Sequence, residues 1–159
     1  MIKLSKPFML IILLFLAAPT LLCAQTAAEI ENLLQTKAIT YEQAVRFVLE
    51  AADVQVFESP ALAFSYAAEH NWLPKNSSPS AEVRLDGISL LIMRSFDIKG
   101  GLLYSLFKNP HYAYRELVYK NIIQGRVEPE MPVSGEMFLF IINRVLTLYD
   151  NDNRGETND

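Results

Sequence analysis

One cysteine, two histidines and six glycines are all that this chain of 159 residues carries, and each scarcity removes a class of chemistry. A lone Cys23 can close no disulfide within the chain and build no thiolate zinc site. His70 and His111 stand apart, with no His-x-x-x-His spacing, so no metal centre and no cofactor is expected. There is no Walker loop, no Gly-x-Ser-x-Gly and no dinucleotide fingerprint. Gly100-Gly101 reads as a break between helices. Basic residues are also scarce, 14 against 18 acidic ones, for a formal charge of −4. That balance excludes the basic stripe of a nucleic-acid binder and gives no chain-wide attraction to anionic lipid. Asp150-Asn151-Asp152-Asn153-Arg154-Gly155 resembles the opening of a calcium loop. Arg154 stands where a ligand is wanted, and no glutamate follows at the twelfth position. Glu42, Asp86, Glu116 and Glu136 are acids of the right type for glycoside hydrolysis, but no catalytic constellation surrounds them. The chain reads as non-enzymatic.

The one long uncharged apolar run lies at the start. Lys3 and Lys6 precede Phe8 to Ala18, Pro19 follows, and Leu22-Cys23-Ala24 puts a small residue before Gln25. This is the order of a secretory signal, residues 1–24, with cleavage near Ala24. The run is short for a membrane span, which needs roughly 20 residues; an uncleaved anchor is the alternative. Lipidation at Cys23 competes with cleavage, but Leu22 is bulky where a lipobox wants a small residue. Cleavage removes the cysteine and two lysines. All 18 acidic residues stay, so −4 becomes −6. Residues 25–159 suffice for one domain with a core and carry no further span. The protein is expected in the periplasm or cell envelope.

Cap residues mark the helices. Thr26, with Glu29 three residues on, opens one through Leu34, within an N-terminal segment 25–37. Thr40 opens a second to about Ala52, with Ala44, Phe47, Val48 and Ala51 as its apolar face. Ser59-Pro60 opens a third to about His70, and Asn109-Pro110 another to about Lys120, each with proline at the first helical position. Helices are also expected over Arg84–Phe96, Leu102–Phe107 and Ser134–Tyr149. Pro74–Ser80 and Gly125–Pro132 read as loops. The polar residues 150–159 read as a disordered tail.

A shift of 50 residues lays Pro60–Phe96 on Pro110–Leu146 without a gap. Identical pairs are Pro60/Pro110, Ala63/Ala113, Asn71/Asn121, Pro79/Pro129, Val83/Val133 and Arg94/Arg144. Helix, apolar pair, proline loop and acid-led helix fall in register. Ile39-Thr40-Tyr41-Glu42 repeats the start of the second helix in each unit. The domain 38–149 is thus two full units after a partial one, whose missing first helix is Ala28–Leu34.

These units resemble the S-layer homology repeat: a helix near His-Trp-Ala, an apolar pair before glycine, a loop, then Thr-Arg-Ala-Glu opening a second helix. His111-Tyr112-Ala113, Ile122-Ile123-Gln124-Gly125 and Val133-Ser134-Gly135-Glu136 fill those places. Val83-Arg84-Leu85-Asp86 and Ile39-Thr40-Tyr41-Glu42 fill the last place in the earlier units. The resemblance implies three repeats about a pseudo-threefold axis, and grooves that hold anionic wall polysaccharide through the motif arginine with nearby aromatics and glycines. Carried onto this chain, it points to Arg84, Tyr112 and Gly125 as ligand-binding residues. Ser134 and Thr40 replace the arginine elsewhere. The acids Glu42, Asp86 and Glu136 remain; in the first turn of a helix they complement its dipole.

The expected fold is all-α, a small bundle of helix–loop–helix repeats, two full and one partial. The expected partner is cell-wall polysaccharide or peptidoglycan. The alternative is an envelope protein docked on an apolar helix face. Met137–Ile142, six apolar residues in a row, mark a helix that is either central or partner-facing, and the central place is expected. Tyr104, Tyr112, Tyr114 and Tyr119 form either a sugar-stacking surface or core and rim positions.

Overall fold

The computed structural model describes residues 27–155 except Arg126. The signal 1–24 and the last four residues of the expected tail lie outside them. The described residues hold seven helices and no strand longer than an isolated bridge, so the fold is all-α. The helices are α1 (27–35), α2 (Tyr41–Ala51), α3 (Pro60–Glu69), α4 (Leu85–Ser95), α5 (Leu102–Phe107), α6 (Pro110–Tyr119) and α7 (Gly135–Gly155). The chain divides at Gln35/Thr36 into two compact units. α1 belongs to the first. Everything below concerns the second.

The starts follow the cap residues. Thr40 and Gln43 form a reciprocal capping box on α2. Ser59 and Asn109 accept from Leu62 and Tyr112 at the heads of α3 and α6, each followed by proline. These bonds satisfy amides that a helix start leaves free. The ends share another device. Asp53, Asn71, Asp97 and Asn121 follow four helices in the left-handed region (φ 53°, 57°, 48° and 59°), a conformation these two residue types tolerate better than most.

The repeat is visible in the backbone. Trp72 donates to Ala67 O and Ile122 to Leu117 O, both at 2.9 Å; Ala81 donates to Ser78 O and Met131 to Glu128 O, both at 3.1 Å. Each pair is one contact displaced by the same 50 residues. Pro79 and Pro129 occupy equivalent loops, accepting from Glu42 and Asp86, each at 2.9 Å.

At the centre the three copies meet. Ile39 donates to Val133 O (2.9 Å), Val133 to Val83 O (2.9 Å), and Val83 to Ile39 O (2.8 Å). The three bonds close a ring about a pseudo-threefold axis. Each residue stands directly before the N-cap of α2, α4 or α7, and all three side chains are fully buried. A buried amide or carbonyl needs a partner, and here each copy supplies its neighbour's. β-Branched Ile and Val suit the extended backbone that the ring requires. From it α2, α4 and α7 extend. α2 packs on α3, α4 and α7, while α4 packs on α6, which also carries α5.

Three expectations change. The buried stripe of α2 is Tyr41, Ala44, Val45, Val48 and Leu49. Phe47 and Ala51 are only half-buried, because α2 has partners on more than one side. Phe47 instead meets Phe138 edge-on at 6.3 Å. The surrounded helix is α4, buried without interruption from Gly87 to Met93. α7 buries Phe138, Ile141, Ile142 and Val145, but Phe140 is 59% exposed. Finally, α7 runs to Gly155. No proline or glycine interrupts it from Glu136 to Arg154, so residues 150–155 continue the helix where a tail was expected.

Candidate functional site

Arg84 is the N-cap residue of α4 and gives the helix no side-chain cap. Its guanidinium turns instead to Asp86. Nε donates to Oδ1 at 3.2 Å and Nη2 to Oδ2 at 2.6 Å, a two-point ion pair with the arginine half exposed. The acid on the second helical residue offsets a cation at the positive end of the dipole. The pair therefore has a structural purpose, and it also fixes where the exposed edge of the guanidinium points.

That edge borders a groove of about 370 Å³ at the head of α2, lined by Tyr41, Pro74, Lys75, Ser77, Arg84 and Asp86 among others. Tyr41 closes one side. It is buried, and its hydroxyl bonds to Ser77. Burial raises its pKa above 10; Asp86 adds to the rise, while Ser77 and Arg84 oppose it. Tyr41 fits there because Gly87, one turn into α4, has no Cβ: an added one would overlap the Tyr41 hydroxyl and crowd Pro74 Cγ at 3.3 Å. The groove so combines two cations, Lys75 and Arg84, with two carboxylates, Glu82 and Asp86, a phenol, and the short polar side chains of Asn76 and Ser77.

The next repeat carries an equivalent groove of about 380 Å³. Gln124, Val127, Ser134 and Glu136 stand there at the register of Pro74, Ser77, Arg84 and Asp86. The lining otherwise differs. Ile122, Met137 and Phe140 make it apolar, and Arg144 is tied to Ile122 O (3.3 Å) and Gln124 Oε1 (2.6 Å). The fold thus repeats one concavity and fills it with different chemistry.

Tyr112 and Gly125 do not join Arg84. Tyr112, half-buried at the head of α6, stacks on Phe107 at 5.4 Å and meets His111 edge-on. Gly125 follows α6 at φ 94°, beside the apolar groove, with open space around its Cα. The tyrosines separate likewise. Tyr104 is buried, Tyr114 donates to Val127 O at 2.7 Å, and Tyr119 is exposed. They form no common sugar platform. His70 caps α3 with Nδ1 2.8 Å from Tyr66 O and stacks on the Tyr66 ring at 4.1 Å. Among the described residues no group of His, Cys, Asp or Glu is placed to hold a metal ion. No described helix is long and apolar enough to cross a membrane.

Sequence reasoning missed Tyr41, Lys75 and Ser77. The signal was present. Tyr41 follows Thr40 in the motif copy of the partial unit, and a ring of three copies sets each motif against the loop of another. No family model, no curated protein and no solved structure matches the chain.

Proposed function

We propose that this chain is an exported, non-enzymatic envelope protein built on divergent S-layer-homology-like repeats, and that it binds anionic wall glycan or peptidoglycan in the groove at Arg84. The observation that carries this reading is the closed ring of Ile39, Val83 and Val133. The resemblance implies three copies about one axis, and these residues lead the three motif copies. The composition of the groove supports the ligand class. A half-exposed guanidinium held flat by Asp86, with Lys75 and a phenol nearby, suits an acidic sugar, since guanidinium pairs with carboxylate or phosphate at two points.

The apolar groove of the next repeat supports a second reading, a module that docks an envelope protein over Met137 and Phe140. Sedimentation with purified cell wall separates the two. Under the glycan reading, Arg84→Ala and Arg84→Glu fold normally, because an exposed ion pair contributes only about 0–1 kcal/mol. Both lose wall binding, the charge reversal more. Undiminished sedimentation of both variants removes Arg84 from the site; loss of a protein partner by Phe140→Ser then favours the second reading. For the exported location, sequencing of the native protein is expected to begin near Gln25, and an intact Met1 in a cytoplasmic fraction contradicts it.

A further inference from the structure

The repeat leaves one arginine without its partners. Arg94 is the register equivalent of Arg144, whose guanidinium is tied to Ile122 O and Gln124 Oε1. Pro74 stands where Gln124 would and has no side-chain acceptor to offer. Arg94 Nε is buried with no hydrogen-bond partner, and among the described residues no hydrogen bond or ion pair holds its guanidinium. An arginine keeps its charge, and a buried N–H donor left without an acceptor is costly.

A second orphan lies beside it. Tyr104 of α5 is 5% exposed, and its hydroxyl too is buried without a partner. Gly100 permits this placement, since a Cβ there would press within 2.6 Å of the Tyr104 ring. Arg94 and Tyr104 line the same cavity, of about 180 Å³, with Lys99, Lys108, Ser105 and Asp97. Three cations face one carboxylate; Glu116, beside Gly101, is the other acid near Tyr104. Guanidinium, ammonium and phenol groups all donate, so the cavity presents donors to an anion.

The outer side of α5 identifies the anion's carrier. Leu102, Leu106, Phe107 and Leu103 are 84%, 71%, 55% and 46% exposed. Four of the six residues of α5 thus offer apolar surface to solvent, bracketed by Lys99 and Lys108. Apolar patches of this kind mark an interaction site. A ligand that satisfies both features carries phosphate and hydrocarbon side by side.

We propose that α5 and the cavity beneath it form a docking site for anionic phospholipid at a membrane surface, with a headgroup phosphate between Arg94, Lys99, Lys108 and Tyr104 and the Leu102–Phe107 knuckle among the acyl chains. The arrangement is that of an interfacial anchor, apolar residues flanked by lysines. The net negative charge of the chain does not forbid it, because screening over about 8 Å at physiological salt leaves the local cations dominant. The site shares no residue with the groove at Arg84 and stands whether or not that groove binds glycan.

The test is hydrogen exchange on the full chain with vesicles of phosphatidylcholine alone, or of an equal mixture with phosphatidylglycerol. The apolar segment Phe8–Ala18 is the same in every variant, and any vesicle contact of its own is common to all of them, so the readout is local, the amides of residues 99–108. Their exchange is expected to slow on the mixed vesicles and not on the neutral ones. Arg94→Gln with Lys108→Gln is expected to raise the lipid needed for half-protection about thirtyfold. Leu102→Ser with Leu106→Ser abolishes protection, and both positions are exposed enough that the fold is unaffected. Equal protection by neutral vesicles, or none by either, overturns the proposal. Protection by inorganic phosphate with no further effect of vesicles also overturns it, and makes the cavity a site for a soluble anion.

Discussion

Adding one methyl group at Gly87 tests the packing beneath the Arg84 groove. In an open helix Gly→Ala stabilises by about 0.8–1.0 kcal/mol. Here the new Cβ overlaps the Tyr41 hydroxyl, with the ring carbon Cζ at 3.1 Å and Pro74 Cγ at 3.3 Å. The tyrosine is rigid and buried, so the ring must shift as a body. Overpacking of this kind costs about 1–3 kcal/mol, and moving the hydroxyl from Ser77 forfeits a hydrogen bond worth about 0.5–1.5 kcal/mol. The repulsion exceeds the helix gain. Gly87→Ala is expected to destabilise by about 1–2 kcal/mol, a fall in Tm of about 3–8 °C for a domain of this size.

A companion variant isolates the overlapping oxygen. Tyr41→Phe removes the overlapping oxygen and keeps the ring. Alone it loses the bond to Ser77 and destabilises by about 0.5–1.5 kcal/mol. Combined with Gly87→Ala it leaves only the contacts at 3.1 and 3.3 Å, and the helix gain returns. The double variant is therefore expected to be more stable than Gly87→Ala alone, with a coupling of about 1 kcal/mol or more between the sites. Urea denaturation of the four proteins measures it. Additive effects, or a Gly87→Ala protein more stable than the parent, refute this account of the groove floor.

Thr40→Ala removes the Thr40 Oγ1 half of the capping box on α2 and leaves the backbone N–H of residue 40 bonded to Gln43 Oε1; it is expected to lower stability by about 1 kcal/mol in thermal denaturation. Val83→Pro removes the N–H that meets Ile39 O at 2.8 Å, leaving a buried carbonyl unpaired. At least about 2 kcal/mol is expected to be lost, and a melt unchanged by it contradicts the ring. Tyr41, Tyr104 and Tyr114 all have raised pKa values, each chiefly through burial. The fold therefore holds their protons more tightly than the unfolded chain, whose tyrosines titrate near 10. Stability is accordingly full below pH 10 and falls as pH rises above it. Absorbance titration paired with urea melts checks this, and stability that is flat or rising above pH 10 contradicts it.

Local signals made much of the fold legible. Thr40, Ser59-Pro60 and Asn109-Pro110 each stand at a helix start because a side-chain acceptor and a fixed proline φ act within a few residues. The Leu102–Phe107 turn between Gly101 and Asn109 was equally local. The register of 50 residues located the loops around Pro79 and Pro129. What depended on neighbours far along the chain was not legible. The stripe of α2 turned because α3, α4 and α7 approach from different directions. α7 lengthened past Tyr149, where composition had suggested a tail. Arg84 was readable as a place in a motif, but its partners Tyr41 and Lys75 come from other segments. The left-handed conformation of Asp53, Asn71, Asp97 and Asn121 after four helices was not read from the sequence, although these residue types tolerate it better than most.

Identical residues in a repeat need not share a task. Arg94 and Arg144 match in sequence and in helix position, so register alone assigns them one role. The partner position decides otherwise: Gln124 accepts from Arg144, and its counterpart Pro74 has no acceptor for Arg94. The same logic governs the ring. Ile39, Val83 and Val133 hold three helix starts in equivalent frames, and the frame therefore does not distinguish one groove from another. The distinction lies in the residues that follow. Thr40 and Ser134 cap their helices, while Arg84 leaves its cap unmade and keeps an exposed cation. Gln43 completes a capping box and Met137 lines an apolar groove, while Gly87 makes room for Tyr41. In a repeated scaffold the copies differ only through such substitutions, and here both Arg84 and Arg94 depart from their register equivalents in the same copy.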